Sequence, residues 1–201
     1  MPQPRIEGRL WVNCPTITNL DYDEQFTVCR QCKQFAPRCC THPRSCHFHS
    51  LIFADGACLN NGNIGARAGV GIAVGLGGED HFSMPFSSLE GVSERTNQVA
   101  ELKAAIEAVN IIDLLECDAE LKPCERKELM RDKVSNGEIR SWIIAMDLEY
   151  VVKGISEWLP NWKMNGFLTS QRKCPKNLDL FMSLEESIRK VEQRRKTIIC
   201  F

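Results

Sequence analysis

The chain has 201 residues, enough for one well-buried domain with a modest extension, and it is 43% hydrophobic and 25% charged, with 25 basic against 26 acidic residues and a net charge of −1. That composition excludes disorder over most of the length, and no stretch reaches the ~18 consecutive apolar residues that span a bilayer, so no membrane partner is expected. A near-neutral body cannot bind nucleic acid by bulk charge, so any such binding falls to a local patch.

Residues 1–49 hold Cys14, Cys29, Cys32, Cys39, Cys40 and Cys46 and three of the four histidines, with little apolar periodicity, and read as an irregular Cys/His-rich extension with short elements at most. The opening MPQPRIEGRLWV carries Arg and Glu where a signal peptide has its apolar core, and the odd total of eleven cysteines argues against a disulfide framework. An intracellular, reducing location, nucleus or cytoplasm, is expected. In VCRQCKQFAPRCCTHPRSCHFH a C-x2-C pair precedes a second cluster, and such a pair spans one edge of a tetrahedron. Cys29, Cys32, Cys39 and Cys46 are therefore candidate ligands of a structural Zn²⁺, with metal-free reduced cysteines as the alternative, the gap before Cys39 being short for a finger.

From residue 50 to 201 the pattern is regular and reads as one domain. A strand begins at Ser50 and ends at Asp55, followed by the turn-rich GACLNNGNIG. Residues 68–75 and 81–86 are two more strands, joined by LGGED into an antiparallel meander. A helix is predicted over 97–115, with Val99, Leu102, Ile106 and Val109 on one stripe and Glu101 on its flank, bordering the core without entering it. Residues 116–140 are highly charged around Pro123 and read as a solvated helical excursion. The apolar run 141–146 has the length of a buried strand with Asp147 directly after it, helices are predicted over 150–159 and 177–191, and KTIICF opens a fifth strand.

Asp55, Glu101 and Asp147 thus stand at element junctions, and carboxylates gathered there are what a hard, oxygen-seeking cation such as Mg²⁺ requires. Position alone equally fits caps and solvated charges. The words around them decide: IFADGACLNNG, RTNQVAELKAAIEAV and MDLEYVVKGISEWLPNWKMNGFLT, in that order, resemble the type 1 ribonuclease H family over roughly residues 50–201. The resemblance implies an α/β ribonuclease H-like fold, a mixed sheet of three antiparallel and then parallel strands flanked by helices. It implies a metal-dependent endonuclease hydrolysing the RNA strand of RNA/DNA hybrids, with Asp55, Glu101 and Asp147 as catalytic ligands of two Mg²⁺ ions. It places Cys58, Asn61, Asn97 and Gln98 at the minor groove of the hybrid, Tyr150 and Trp158 along the DNA strand, and Thr96 and Asn177 at a DNA phosphate.

Each has a plainer reading. Cys58 is also a small hydrophobe, Asn61 and Asn97 are turn and cap residues, and Trp158 with Trp162 is also a core stripe. Lys163, Arg172, Lys173 and Lys176, with only Glu157 as a nearby acid, form a positive patch suited to phosphates. Leu148, Glu149 and Glu94 depart from the family's usual polar and basic choices. The family's terminal loop, catalytic histidine and final helix with a fourth acid find no match before Phe201, so the expectation is a fold without its last helix, an incomplete second metal site and exposed apolar surface on the last strand. The alternatives are a fold of this class that binds nucleic acid without turnover and a zinc-dependent interaction module.

Overall fold

A computed structural model of the chain describes residues 5–38, 48–86, 95–118 and 140–201. Five strands form the central sheet: β5 (His49–Leu59), β6 (Arg67–Ala73), β7 (His81–Pro85), β8 (Arg140–Ala145) and β9 (Thr197–Cys200), in the spatial order β7-β6-β5-β8-β9. β5, β6 and β7 pair antiparallel as a meander, and β8 and β9 add in parallel, as expected of the mixed sheet.

The first strand corrects the sequence reading. It does not stop at Asp55 but runs on to Leu59, because Asp55 through Leu59 pair with Gly71 through Arg67 of β6. The turn chemistry belongs to the next residues, where Asn60, Gly62 and Gly65 have positive φ. Pairing with β8 ends earlier, at Phe53 opposite Ala145. Up to that point β5 is covered on both faces, and beyond it Asp55 and Ala57 open to solvent while Ala54 and Gly56 stay buried.

One face of the sheet carries helices α2 (Asn97–Asp118) and α5 (Leu178–Arg195). Val99, Leu102, Ile106 and Val109 of α2 pack with Ile52, Ile72, Ile144, Phe181, Leu184 and Ile188 into the main core. Burying such side chains contributes roughly 1.5–3 kcal/mol each before conformational entropy is counted. The helix predicted over 150–159 is longer: α3 (Glu149–Lys153) passes through a π-helical turn, Gly154–Trp158, into α4 (Leu159–Met164). The expected excursion over 116–140 falls mostly on residues outside those described.

The other face is covered by the N-terminal segment, whose regular elements among the described residues are the hairpins β1–β2 (Arg5–Glu7, Leu10–Val12) and β3–β4 (Phe26–Val28, Phe35–Pro37), the short helix α1 (Pro15–Thr18) and a 3₁₀ turn, Tyr22–Glu24. Ile6, Trp11, Phe26, Val28 and Phe35 cluster there with Leu51, Phe53, Ile143 and Cys200. Backbone bonds seal the contact: Phe35 N–H to Val74 O at 2.8 Å, Trp11 N–H to Phe201 O at 2.7 Å, and Phe201 N–H to Arg9 O at 2.8 Å. The Arg9 guanidinium pairs with Glu192 at 2.9 Å and donates to Ile199 O at 3.1 Å. Ile199, Cys200 and Phe201 are buried, so the expectation of an exposed apolar last strand is overturned: the N-terminal segment covers it.

Candidate active site

The parting of β5 and β8 beyond Phe53 and Ala145 leaves a crevice at the sheet's centre. Asp55 stands on one lip and Asp147, just past the end of β8, on the other. Glu101 is delivered from α2, and Gly56 makes that possible: a Cβ there would lie 2.2 Å from the Ala100 carbonyl carbon and 2.3 Å from the Glu101 nitrogen. Only a residue without a side chain lets the helix approach β5 so closely. One carboxylate oxygen from each of Asp55, Glu101 and Asp147 lies within 4.8 Å of the other two.

The three acids differ in surroundings. Asp55 and Asp147 are exposed, whereas Glu101 is 3% exposed, so it enters the core margin that the sequence reading had it merely border. The helix is buried nearly all round, through Ala100, Ala104, Ala105 and Ala108, which a single apolar stripe does not reveal. Burial, and then the charges of Asp55 and Asp147, push the Glu101 carboxyl up to about 7 against the pull of the Gly56 N–H. Its Oε2 is buried without a hydrogen-bond partner among the described residues. Three hard oxygen donors, one of them orphaned, fit a divalent cation.

The other predicted residues fall in two groups. Around the β5–β6 turn, Asn61 Oδ1 accepts the Asn97 N–H at 2.9 Å, Cys58 Sγ lies 3.1 Å from Arg95 O, and Thr96 Oγ1 accepts the Val99 N–H at 3.3 Å, capping α2 with Gln98 in its first turn. Beside α5, the Tyr150 hydroxyl donates to Lys176 O at 3.0 Å and accepts from Asn177 Nδ2 at 3.3 Å, and the Tyr150 ring stands edge-on to Trp158 at 5.7 Å. Thr96 and Asn177 share no hydrogen bond, each being engaged within its own group. Trp162 packs against the core through Phe181, while Trp158 is half-buried between Tyr150 and Trp162. In the basic patch Lys163 is paired with Glu185, a partner the sequence reading missed, and no described acid pairs with Arg172, Lys173 or Lys176. Cys29 is buried and Cys32 half-buried in a turn closed by Lys33 N–H to Cys29 O at 2.9 Å, while Cys39 and Cys46 lie outside the described residues.

Two residues were not foreseen. A cleft of about 460 Å³ beside the carboxylates is lined by Asp55, Asp147, Met146, Phe53, His81 and Tyr22. His81 faces Ala73, which faces Phe53, so counting register along the meander would have put His81 one row from Asp55. Its Nε2 donates to Gly75 O at 2.9 Å. Tyr22 comes from the N-terminal segment, and no periodicity there announces it.

Similarity to known proteins covers most of the chain. A model of the family described as RNase H matches residues 48–198. The ribonuclease H of Schizosaccharomyces pombe is 32% identical over 70% of this chain and 42% of its own length, and that of Actinobacillus succinogenes is 32% identical over 68% of each. A foamy viral protease-reverse transcriptase solved in complex with dsDNA covers 76% of this chain and 79% of that one at 23% identity, with a TM-score of 0.46. Fold, converging acids and the family match together make this chain a member of the ribonuclease H family.

Proposed function

We propose that the chain is a metal-dependent endonuclease that hydrolyses the RNA strand of RNA/DNA hybrids inside the cell. The observation that carries this reading is the convergence of Asp55, Glu101 and Asp147, with a buried glutamate oxygen left without a hydrogen-bond partner among the described residues. Their carboxylates would hold Mg²⁺, two ions being the family's number, and a bound divalent ion supplies Lewis acidity at the scissile phosphate and a water of lowered pKa. The chain's own part is to fix the oxygens in place: Asp55 through the β5–β6 ladder, Glu101 through α2 seated on Gly56. Cys58, Asn61, Asn97 and Gln98 fit a role at the minor groove, where 2′-hydroxyls on one strand distinguish a hybrid from DNA. Tyr150 and Trp158 offer aromatic faces to the DNA strand, Thr96 and Asn177 polar groups to its phosphate, and Arg172, Lys173 and Lys176 neutralise charge. Residues 1–49 form a Cys/His-rich unit in this reading, whose Cys29 and Cys32 turn supports a structural zinc completed by Cys39 and Cys46.

Cleavage of an end-labelled hybrid in Mg²⁺ tests the proposal. The chain should cut the RNA strand, Asp55→Asn should lower the rate at least ~100-fold, and a chelator should abolish it. A folded chain that binds hybrid without cutting it would instead be a nucleic-acid-binding member of the fold.

A further inference from the structure

The cleft beside the acids must admit a polyanion, yet what lines it is mostly acceptor or apolar. Among the described residues lining it, only Tyr22 and His81 carry a side-chain hydrogen-bond donor. The Nε2–H of His81 is engaged on Gly75 O at 2.9 Å. The Tyr22 hydroxyl has no hydrogen-bond partner among the described residues, and the residue is 68% exposed. Its ring is nonetheless held, edge-on to Phe26 and to Phe53 at 6.3 Å each, and those two rings meet Phe35 at 5.7 and 5.2 Å in the cluster that seats the N-terminal segment on the sheet. An exposed phenol on a packed aromatic base, lining a cleft in which no other described lining residue carries an uncommitted side-chain donor, is arranged to meet a ligand.

We infer that Tyr22, contributed by a segment outside the family-matched residues 48–198, is a substrate-contacting residue of this active site, its hydroxyl donating a hydrogen bond to a phosphate oxygen of the nucleic-acid strand lying along the Asp55 and Asp147 side of the cleft. The inference rests on the nuclease reading given above. The segment as a whole is then more than a cover for the sheet, since it supplies one wall of the reaction cleft.

The test is Tyr22→Phe, which keeps the ring packing and removes only the hydroxyl, beside Tyr22→Ala, which removes both. KM and kcat for hybrid cleavage are measured for each, and the Kd of a labelled hybrid is measured by anisotropy in the Asp55→Asn background. Tyr22→Phe should melt within about 2 °C of the parent and raise both KM and Kd at least about tenfold, the loss of one hydrogen bond to a charged group, with kcat within about twofold. Tyr22→Ala should weaken hybrid binding at least as much. Unchanged KM and Kd in a folded Tyr22→Phe chain, while the parent cleaves normally, would overturn the Tyr22 inference and leave the nuclease reading standing. A parent chain that neither cleaves nor binds the hybrid would overturn both.

Discussion

Glu101 is the residue on which the site's electrostatics turn. Its folded pKa of about 7 lies above the ordinary 4.5, so the folded chain holds this proton more tightly than the unfolded chain does. The contribution to stability is therefore full below the ordinary glutamate pKa, falls as the pH climbs through about 7, and leaves a deficit of about 3 kcal/mol at higher pH without metal. Urea melts at pH 5 and pH 8 in chelator should show that decline in the parent and not in Glu101→Gln, which should be the more stable of the two at pH 8. Mg²⁺ should narrow the parent's deficit, because a cation replaces the proton. A parent whose stability rises between these pH values would contradict the burial argument. The words surrounding the three acids singled them out in the sequence, and the structure gathers their carboxylates. The sequence did not reveal that Glu101 is buried, because α2 is buried also through Ala100, Ala104, Ala105 and Ala108, which lie off the apolar stripe that marks the helix.

At the scale of elements, the site depends on how closely α2 lies on β5. Gly56→Ala would force a methyl group into backbone at 2.2 Å, which side-chain adjustment cannot relieve. It should cost about 1–3 kcal/mol in urea unfolding and, by lifting Glu101 away from Asp55, weaken Mg²⁺ binding measured by calorimetry more than any comparable surface change. Retained Mg²⁺ affinity in a destabilised chain would show that the helix can back away without opening the triad. Periodicity made the elements legible: the meander, the strands β8 and β9 and the described helices stand within a few residues of where the pattern puts them, while the parallel pairing of β8 and β9 was implied by the family resemblance. The continuation of β5 past Asp55 was hidden because GACL, rich in small residues and running into Asn-Asn-Gly, has the composition of a turn, and only cross-strand pairing with β6 makes it a strand. The π-helical turn at Gly154–Trp158 left no trace in the spacing, although Gly154 is where Phe181 packs so closely that a Cβ would sit 2.2 Å from its ring.

Across the whole molecule, the sheet is sandwiched between helices on one face and an irregular N-terminal segment on the other. Little of that second layer was readable, since its contacts are made by scattered residues such as Ile6, Trp11, Phe26 and Phe35 with no repeating interval. Arg9 is its principal tie, half-buried against Glu192, whose carboxylate also accepts the Ile199 N–H at 3.0 Å. Arg9→Ala should destabilise the chain by about 1–3 kcal/mol, with a fall in thermal midpoint and new binding of an apolar dye, because Glu192 loses its partner and the cover over β9 loosens. An unchanged midpoint would mean that the backbone bonds from Arg9 and Trp11 to Phe201 suffice. That clasp also sets an order of events: Arg9 reaches Ile199 across 190 residues, so its closure carries the entropy of a very long loop and belongs late in folding. On the ribosome the segment can therefore settle first on β5, through Phe26 and Phe35 against Phe53, and closes onto β9 only once Ile199 and Phe201 have been synthesised.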